Sequence, residues 1–195
     1  MQDLFQKIIF QKQNNFAPAA KFSSPSARWI ASGDTKPSAP AGCSLKQYAL
    51  KKNFLPLRII VSAIEHESIL ETARDLENEG AEIICLPVDK NGFVDLKKLK
   101  ASLNERTVLV SIMRANNEIG TVQPLFEISQ IINDFKKRKS EIRNPKSELE
   151  AVYPLLHTDA VQAFQFLDCD VNKLSVDLMT LSAHKIYGSK GIGLL

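Results

Sequence analysis

From about residue 57 onward, the chain alternates between short apolar runs and stretches with helical spacing. The runs are mainly apolar and often β-branched, which predicts buried strands. Between them, apolar residues recur every three or four positions, as on one face of an amphipathic helix. The predicted strands are Leu57–Ser62, Glu82–Val88, Thr107–Met113, Pro154–Asp159 and Asp177–Leu181, the predicted helices are Ser68–Gly80, Asp95–Leu103 and Leu125–Phe135, and Val161–Phe166 is a short helix or a turn.

Strands that alternate with helices at this spacing predict an α/β fold, with a mostly parallel sheet flanked by helices. Ligands of such sheets bind at the carboxyl ends of the strands. Polar clusters follow several of the predicted strands directly. We therefore expect these clusters to converge on one site.

Two segments depart from this pattern. Residues 1–57 are expected to form a separate, poorly ordered segment, in which four prolines between Asn14 and Gly42 prevent regular elements and residues 7–10 could form a short strand. An organellar transit peptide is an alternative, but arginine richness and a clear amphipathic helix are lacking. Residues 136–149 are charged and are interpreted as a solvated loop or a helix extension.

Composition narrows the class only slightly. The chain has 195 residues, is 44% hydrophobic and 24% charged, and has a net charge of +3, which gives no sign of nucleic-acid or membrane binding. No apolar run approaches the roughly 20 residues of a transmembrane helix, and no secretory signal is evident. Cys43, Cys85 and Cys169 have neither disulfide nor zinc spacing, so we expect no metal site and a cytoplasmic location.

The last predicted strand leads to a lysine and a glycine-rich turn. Ser182, His184 and Lys185 follow within a few residues, ahead of Gly188. A lysine in a desolvated pocket loses its proton more readily, and its neutral amine can form a Schiff base with a carbonyl compound. A surface lysine is the alternative for any lysine that follows a strand.

Three more polar clusters follow strands. Asp159 and Gln162 follow one strand, although an aspartate there is more often a helix cap. Asn116 and Asn117 follow another, where a simple turn is the alternative. His66 follows the first strand, and such a histidine is usually a surface or capping residue.

The order of these clusters resembles that of the cysteine desulfurases, which are class V, fold-type I enzymes dependent on pyridoxal 5'-phosphate (PLP). The run from Ser182 to Gly188 is similar to their cofactor-lysine motif, and the run from Met113 to Pro124 is similar to a second signature. The resemblance covers about residues 58–195, with an apparent insertion at about residues 136–153. It implies that residues 58–195 form part of a large PLP-binding domain with three α/β/α layers.

The resemblance also implies roles for individual residues. Lys185 binds PLP as a Schiff base and then moves the substrate's α-proton, and His66 stacks on the cofactor ring and takes part in proton transfer. A carboxylate beside the pyridine nitrogen keeps it protonated, so that the ring can accept electrons. The implied cofactor-binding residues are His66, Asn117, Asp159, Gln162, Ser182, His184 and Lys185.

The chain departs from the family pattern in three places. The family's Gly-Ala-Thr phosphate cup has no evident counterpart after residues 7–10, and Ser189 stands where proline is usual. Family members continue well beyond the position of Leu195 and carry the persulfide cysteine there, so we assign no catalytic cysteine and expect an exposed sheet edge. We interpret Cys85 as a small buried hydrophobe, and we expect acidic neighbours to raise the pKa of Cys169.

The expected function is therefore that of a cysteine desulfurase, which converts L-cysteine to L-alanine and a protein persulfide for iron–sulfur cluster assembly or tRNA thiolation. The family implies a homodimer and a sulfur-acceptor or scaffold protein as partners. Another class V enzyme, such as a selenocysteine lyase or an aminotransferase, and an inactive truncated remnant are alternatives. A nucleotide-binding domain is a weaker alternative, because the glycines follow the lysine.

Overall fold

The computed structural model describes residues 29–31, 56–142 and 153–195. Seven strands form one sheet in the order β1-β7-β6-β5-β4-β2-β3. The strands are β1 (Trp29–Ala31), β2 (Arg58–Ser62), β3 (Glu82–Leu86), β4 (Thr107–Ser111), β5 (Leu155–Asp159), β6 (Leu178–Ser182) and β7 (Ile192–Leu194).

Five neighbouring strands, β6, β5, β4, β2 and β3, are parallel, and β7 is antiparallel to both of its neighbours. Strand β1 consequently runs in the same direction as β6. The carboxyl ends of all the parallel strands lie at one edge of the sheet, as the alternation of strands and helices predicts.

The helices are α1 (Glu67–Asn78), α2 (Leu96–Ser102), α3 (Leu125–Ile142) and α4 (Val171–Leu174), and a 3₁₀ helix follows β6 at Ala183–Ile186. As predicted, Asp95 caps α2, because its Oδ1 accepts the backbone N–H groups of Lys97 at 2.9 Å and Lys98 at 3.0 Å. In the described part of the chain, none of the helices combines the length and apolar character that crossing a membrane requires.

Helices cover both faces of the sheet, which gives the expected three α/β/α layers. On one face, α1 packs through Ile69 and Leu76 against Ile59 of β2. On the other face, α2, α3 and α4 contribute to a larger apolar cluster that includes Ile60 and Ile128. Neighbouring residues of β2 thus face opposite layers, which explains why Ile59, Ile60 and Val61 are consecutive apolar residues.

The structure corrects two expectations about elements and decides between the two alternatives of a third. Strand β1 lies inside the proline-rich segment that was expected to lack regular elements, although residues 7–10 lie outside the described part. The predicted exposed edge beside β6 is wrong, because β7 pairs with β6 and β1 pairs with β7. Helix α3 extends to Ile142, so the residues after Phe135 begin as a helix extension.

Residues 161–166 form a turn, which was one of the two expected conformations. The domain boundary at residue 57 stays a prediction.

Candidate active site

Backbone hydrogen bonds join the carboxyl ends of neighbouring strands. The N–H of Arg114, beyond β4, donates to the Asp159 carbonyl at 2.8 Å, and the N–H of Ala160 donates to the Thr180 carbonyl at 3.0 Å. Strand β2 pairs in parallel with β4 as far as Val61 and Ser111. The segments that carry the predicted site residues therefore form one continuous edge.

Asp159 is the last residue of β5 and its carboxyl group is largely buried. Its Oδ1 accepts the backbone N–H of Val161 at 2.8 Å, which is the local capping role that an aspartate after a strand often has. Burial raises the pKa of Asp159, while the Val161 N–H and the nearby imidazole of His66 oppose that rise. Two predicted site residues from different strands, Asp159 and His66, thus lie close enough to interact electrostatically.

His66 is the N-cap of α1 and its side chain is exposed. Its Nδ1 accepts the backbone N–H of Ser68 at 3.2 Å and lies 2.8 Å from the Ser68 hydroxyl oxygen. A backbone N–H can only donate, so Nδ1 carries a lone pair and the ring proton lies on Nε2. The capping alternative is correct for one ring nitrogen, and it leaves the other nitrogen and the ring face available.

The two asparagines after β4 differ in their contacts. Asn116 is bound on both sides of its amide: Nδ2 donates to the Ile64 carbonyl at 2.9 Å, and Oδ1 accepts the N–H groups of Glu118 and Ile119, each at 2.9 Å. Asn117 is exposed, and its side chain has no partner among the described residues. Asn116 therefore shapes the loop, and Asn117 has its amide free for a ligand.

Lys185 lies in the 3₁₀ helix directly after β6 and is exposed, so the expected desolvated pocket is not formed by the described residues. Its amine has no ion pair or hydrogen bond within that part of the chain. Three residues before Lys185, the Ser182 hydroxyl lies 2.7 Å from Nδ1 of His184. The turn closes when the N–H of Gly188 donates to the Ala183 carbonyl at 2.8 Å.

Gly188 is required by the close approach of the 3₁₀ helix. A Cβ at this position would lie 2.9 Å from Cβ of Ala183 and 3.0 Å from its carbonyl oxygen. Gln162 lies in the turn after β5 and is half-buried. All seven predicted site residues thus follow or end β2, β4, β5 and β6 at the same edge, although their roles toward a cofactor stay predictions.

Sequence reasoning missed the role of a buried histidine. His157 of β5 is 1% exposed, with Nδ1 2.8 Å from the Ser111 hydroxyl oxygen and Nε2 3.3 Å from the Thr180 hydroxyl oxygen. Burial lowers the pKa of His157 to about 4, so it is neutral at physiological pH. The side chain links β4, β5 and β6 beneath the site.

A second missed residue is Glu65, which precedes His66. Its carboxyl group is 5% exposed and bridges the ends of β2 and β4. In the sequence, a glutamate before a helix resembles an ordinary first-turn acidic residue. Its burial depends on contact with β4, about 50 residues away, which local patterns do not report.

The sequence after β1 contains a third missed signal. Ser32-Gly33-Asp34-Thr35 follows the strand directly, so a glycine and a threonine do occur in the order of the phosphate cup. Residues 32–55 lie outside the described part, so this likeness is one of sequence alone.

The cysteines differ from expectation in one case. Cys85 is exposed on β3, so its interpretation as a buried hydrophobe is wrong; β3 is the edge strand and leaves this side chain uncovered. The pKa of Cys169 is raised as expected, although burial is the larger cause and Asp168 the smaller. Cys43 lies outside the described residues, among which no cluster of three or more potential metal ligands occurs.

The order of elements, the sheet topology and these strand-end residues define a class of protein. The aminotransferase class-V family model matches residues 45–195, and the chain belongs to this family. It is 45% identical over 140 residues to a mitosomal cysteine desulfurase of Trachipleistophora hominis, and 43% identical over 137 residues to the cysteine desulfurase IscS of Clostridium botulinum. These alignments cover 72% and 70% of this chain, but only 28% and 30% of the two relatives.

A solved structure described as "SspA in complex with cysteine" is similar to this chain in fold. The two share 31% sequence identity with a TM-score of 0.63, over 77% of this chain and 38% of that chain. The likeness identifies the α/β fold as fold type I. This chain therefore spans about a third of the length of the relatives that it matches.

The donor set at the sheet edge fits PLP. Asp159 is a buried carboxyl group for the pyridine nitrogen, His66 is exposed, and Asn117 has an amide without a partner among the described residues for the phenolic oxygen. Lys185 has an amine without an ion pair in the same part of the chain. The described edge thus has a candidate for the ring, for the pyridine nitrogen, for the phenolic oxygen and for the Schiff base, and the phosphate cup is not among the described residues.

Proposed function

We propose that this chain forms the cofactor-holding part of a PLP-dependent cysteine desulfurase. The observation that carries the proposal is the convergence of His66, Asn117, Asp159 and Lys185 on one sheet edge, each after a different parallel strand. The likeness to two named cysteine desulfurases supports the choice of reaction. That reaction converts L-cysteine and an enzyme thiol to L-alanine and an enzyme persulfide.

In this proposal, PLP supplies an electron sink for the carbanion at the substrate's α-carbon. Lys185 would hold the cofactor through its amine and would accept the α-proton of L-cysteine. Asp159 holds a negative charge at the pyridine nitrogen. Because burial disfavours that charge, the ion pair with a protonated ring nitrogen stabilises the ionised carboxylate.

The remaining residues orient the cofactor. His66 lies against the ring with its proton on Nε2, and Asn117 and Gln162 bind the phenolic oxygen. Ser182 and His184 contact the phosphate, and their mutual hydrogen bond of 2.7 Å holds the two groups together. Asn116 and Gly188 keep the loops that carry Asn117 and Lys185 in place.

The proposed partners follow from the reaction. A persulfide must pass its sulfur to an acceptor or scaffold protein, and the exposed apolar residues Ile119, Phe126 and Phe166 are compatible with contact to further chain or to a second copy in a homodimer. A cytoplasmic location stays a prediction, because one of the relatives is mitosomal.

The proposal is tested by titrating the purified chain with PLP and recording the absorbance band of lysine-bound cofactor. We expect the wild type and Lys190→Ala, a matched change of a nearby exposed lysine, to form the band. Lys185→Ala should fail to form it. A folded wild-type chain without the band, or a band that survives Lys185→Ala, contradicts the proposal and favours an inactive remnant.

Adding L-cysteine to a chain that has formed the band separates the desulfurase from other class V enzymes. A desulfurase site perturbs the band with L-cysteine and releases L-alanine when a thiol acceptor is supplied. Formation of pyruvate instead favours a lyase. Formation of another α-keto acid favours an aminotransferase.

A further inference from the structure

Glu65 is a carboxyl group with one bound and one unbound oxygen inside the protein. Its Oε1 accepts the Ser62 hydroxyl at 2.6 Å and the backbone N–H of Met113 at 2.7 Å. Its Oε2 is buried and has no hydrogen-bond partner among the described residues. A native buried polar atom without a partner is rare and calls for a physical reason.

The bound oxygen connects two strand ends that carry predicted cofactor residues. Ser62 ends β2 and Met113 follows β4, so Oε1 ties the loop before His66 to the loop before Asn117. The Asn116 amide adds a second link when Nδ2 donates to the Ile64 carbonyl at 2.9 Å. Both contacts fix the position of His66 relative to β4, and neither requires a charge on Glu65.

Burial and a neighbouring charge favour a neutral Glu65. Among the described residues, the titratable groups that interact with it are Asp159 from the end of β5 and Cys85 from β3. Burial raises the pKa of Glu65 to about 8, the hydrogen bonds from Ser62 and Met113 oppose that rise, and the negative charge of Asp159 adds a smaller increase. Glu65 thus shares a buried region with Asp159, where a second negative charge is disfavoured.

We propose that Glu65 is a positioning residue that works as a neutral carboxylic acid: it clamps the loop carrying His66 to the end of β4 and leaves the negative charge at the cofactor ring to Asp159. The part of this inference that concerns the cofactor rests on the proposed function. The clamp and the protonation state are properties of the chain itself.

The variant Glu65→Gln tests the inference, because it keeps an oxygen in place of Oε1 and cannot ionise. Glu65→Ala removes the clamp, and Glu118→Gln applies the same change to an exposed glutamate of the next loop. The readouts are the PLP affinity at about pH 7 and about pH 9 and the free energy of unfolding in urea across that range and below it. A group that must be protonated and has a pKa of about 8 loses about tenfold in affinity by about pH 9.

From about pH 7 to about pH 9, we expect the PLP affinity of the wild type to fall about tenfold more than that of Glu65→Gln. Glu118→Gln should behave as the wild type does. Glu65→Ala should bind PLP more weakly at about pH 7 than Glu65→Gln does. Because the folded-state pKa is raised from 4.5 to about 8, the wild type should also lose stability relative to Glu65→Gln as the pH rises through this interval.

Parallel pH curves for the wild type and Glu65→Gln overturn the neutral-acid assignment. Equal PLP binding by Glu65→Ala and Glu65→Gln overturns the positioning role. If no variant binds PLP but the stability curves diverge, the proposed function fails and the protonation state stands. If Glu65→Gln does not fold, a carbon-13 NMR titration of the glutamate carboxyl groups in the wild type tests the neutral-acid assignment. The assignment is wrong if every glutamate titrates with an ordinary pKa.

Discussion

His157 shows how a single residue supports the site without facing a ligand. It is completely enclosed between β4 and β6, and each ring nitrogen lies near a threonine or serine hydroxyl. Burial lowers the pKa of His157 to about 4, and neither neighbouring hydroxyl carries a negative charge that would stabilise a charged imidazole. The stability of the central sheet therefore depends on a neutral histidine.

This predicts a pH dependence of folding. Below the ordinary pKa of 6.5 the unfolded chain binds a proton at His157 and the folded chain does not, so stability is lost as the pH falls from 6.5 toward about 4. Relative to His157→Gln, the wild type should lose about 2 kcal/mol of unfolding free energy between about pH 6.5 and about pH 5. Urea denaturation of both proteins at these pH values measures the difference.

The comparison with His157→Gln is needed because Glu65 acts with the opposite sign. Its raised pKa makes the folded chain more stable as the pH falls from about 8 to 4.5, which masks the effect of His157 in the wild type alone. If the difference in unfolding free energy between the wild type and His157→Gln does not change with pH, the assignment of His157 as a buried, neutral histidine is wrong.

The sequence correctly placed Lys185 and Asp159 at strand ends, and their roles toward a cofactor stay predictions. The roles of Glu65 and His157 could not be predicted, because each acquires its properties from contacts with other strands. A polar side chain inside an apolar run has no local pattern that tells a buried bridge from an exposed loop. The exposure of Cys85 was missed for the same reason, since it depends on β3 lying at the sheet edge.

At the scale of elements, the turn after β6 depends on a glycine. We expect Gly188→Ala to destabilise the chain by about 1–3 kcal/mol, because the added Cβ meets Ala183 at 2.9 Å and the 3₁₀ helix has to shift. Lys185 lies in that helix, so PLP attachment should weaken as well. Thermal unfolding and the PLP absorbance band measure the two effects.

Gly193→Ala is the matched control, because its new Cβ comes no closer than 3.4 Å to the Leu181 carbonyl oxygen. If both alanine variants behave alike, the close packing of Gly188 against the 3₁₀ helix does not position Lys185.

Helix α3 shows the contrast between a buried and an exposed face. Ile128 is 0% exposed in the larger core cluster, whereas Phe126, two residues earlier, is 50% exposed. We expect Ile128→Ala to lower the free energy of unfolding by about 3 kcal/mol. Phe126→Ala should change it by less than about 1 kcal/mol. Similar losses in urea denaturation would contradict the packing of α3 against the sheet.

The sequence predicted the five parallel strands and the three longest helices. Burial between two layers of helices makes a strand continuously apolar, and burial of one helix face produces an apolar stripe, so both patterns can be recognised in a short stretch of sequence. The far end of α3 was left open, since its residues after Phe135 are charged. Lysine, arginine and glutamate are strong helix formers and continue the helix without an apolar stripe. The ion pair of Lys136 with Asp177, at 3.4 Å, also fixes this part of α3 to the sheet.

Strands β1 and β7 were missed because each is only three residues long. A three-residue strand shows no alternation, and its pairing partner defines it. The topology β1-β7-β6 therefore becomes evident only when the whole sheet has formed.

At the scale of the whole molecule, the sheet brings residues from positions 66 to 185 to one edge. The chain spans about a third of its relatives, yet this edge contains a candidate for each group that holds the cofactor in the proposed function. The central claim is that this portion by itself presents Lys185 to PLP.

The most direct measurement is reductive trapping. The chain is incubated with PLP, reduced with borohydride and digested, and the lysine that carries the cofactor is located by mass spectrometry. We expect the modification to be concentrated on Lys185. It should be lost in Asp159→Asn, which removes the negative charge at the pyridine nitrogen. Modification spread evenly over exposed lysines such as Lys173 and Lys190 would contradict it.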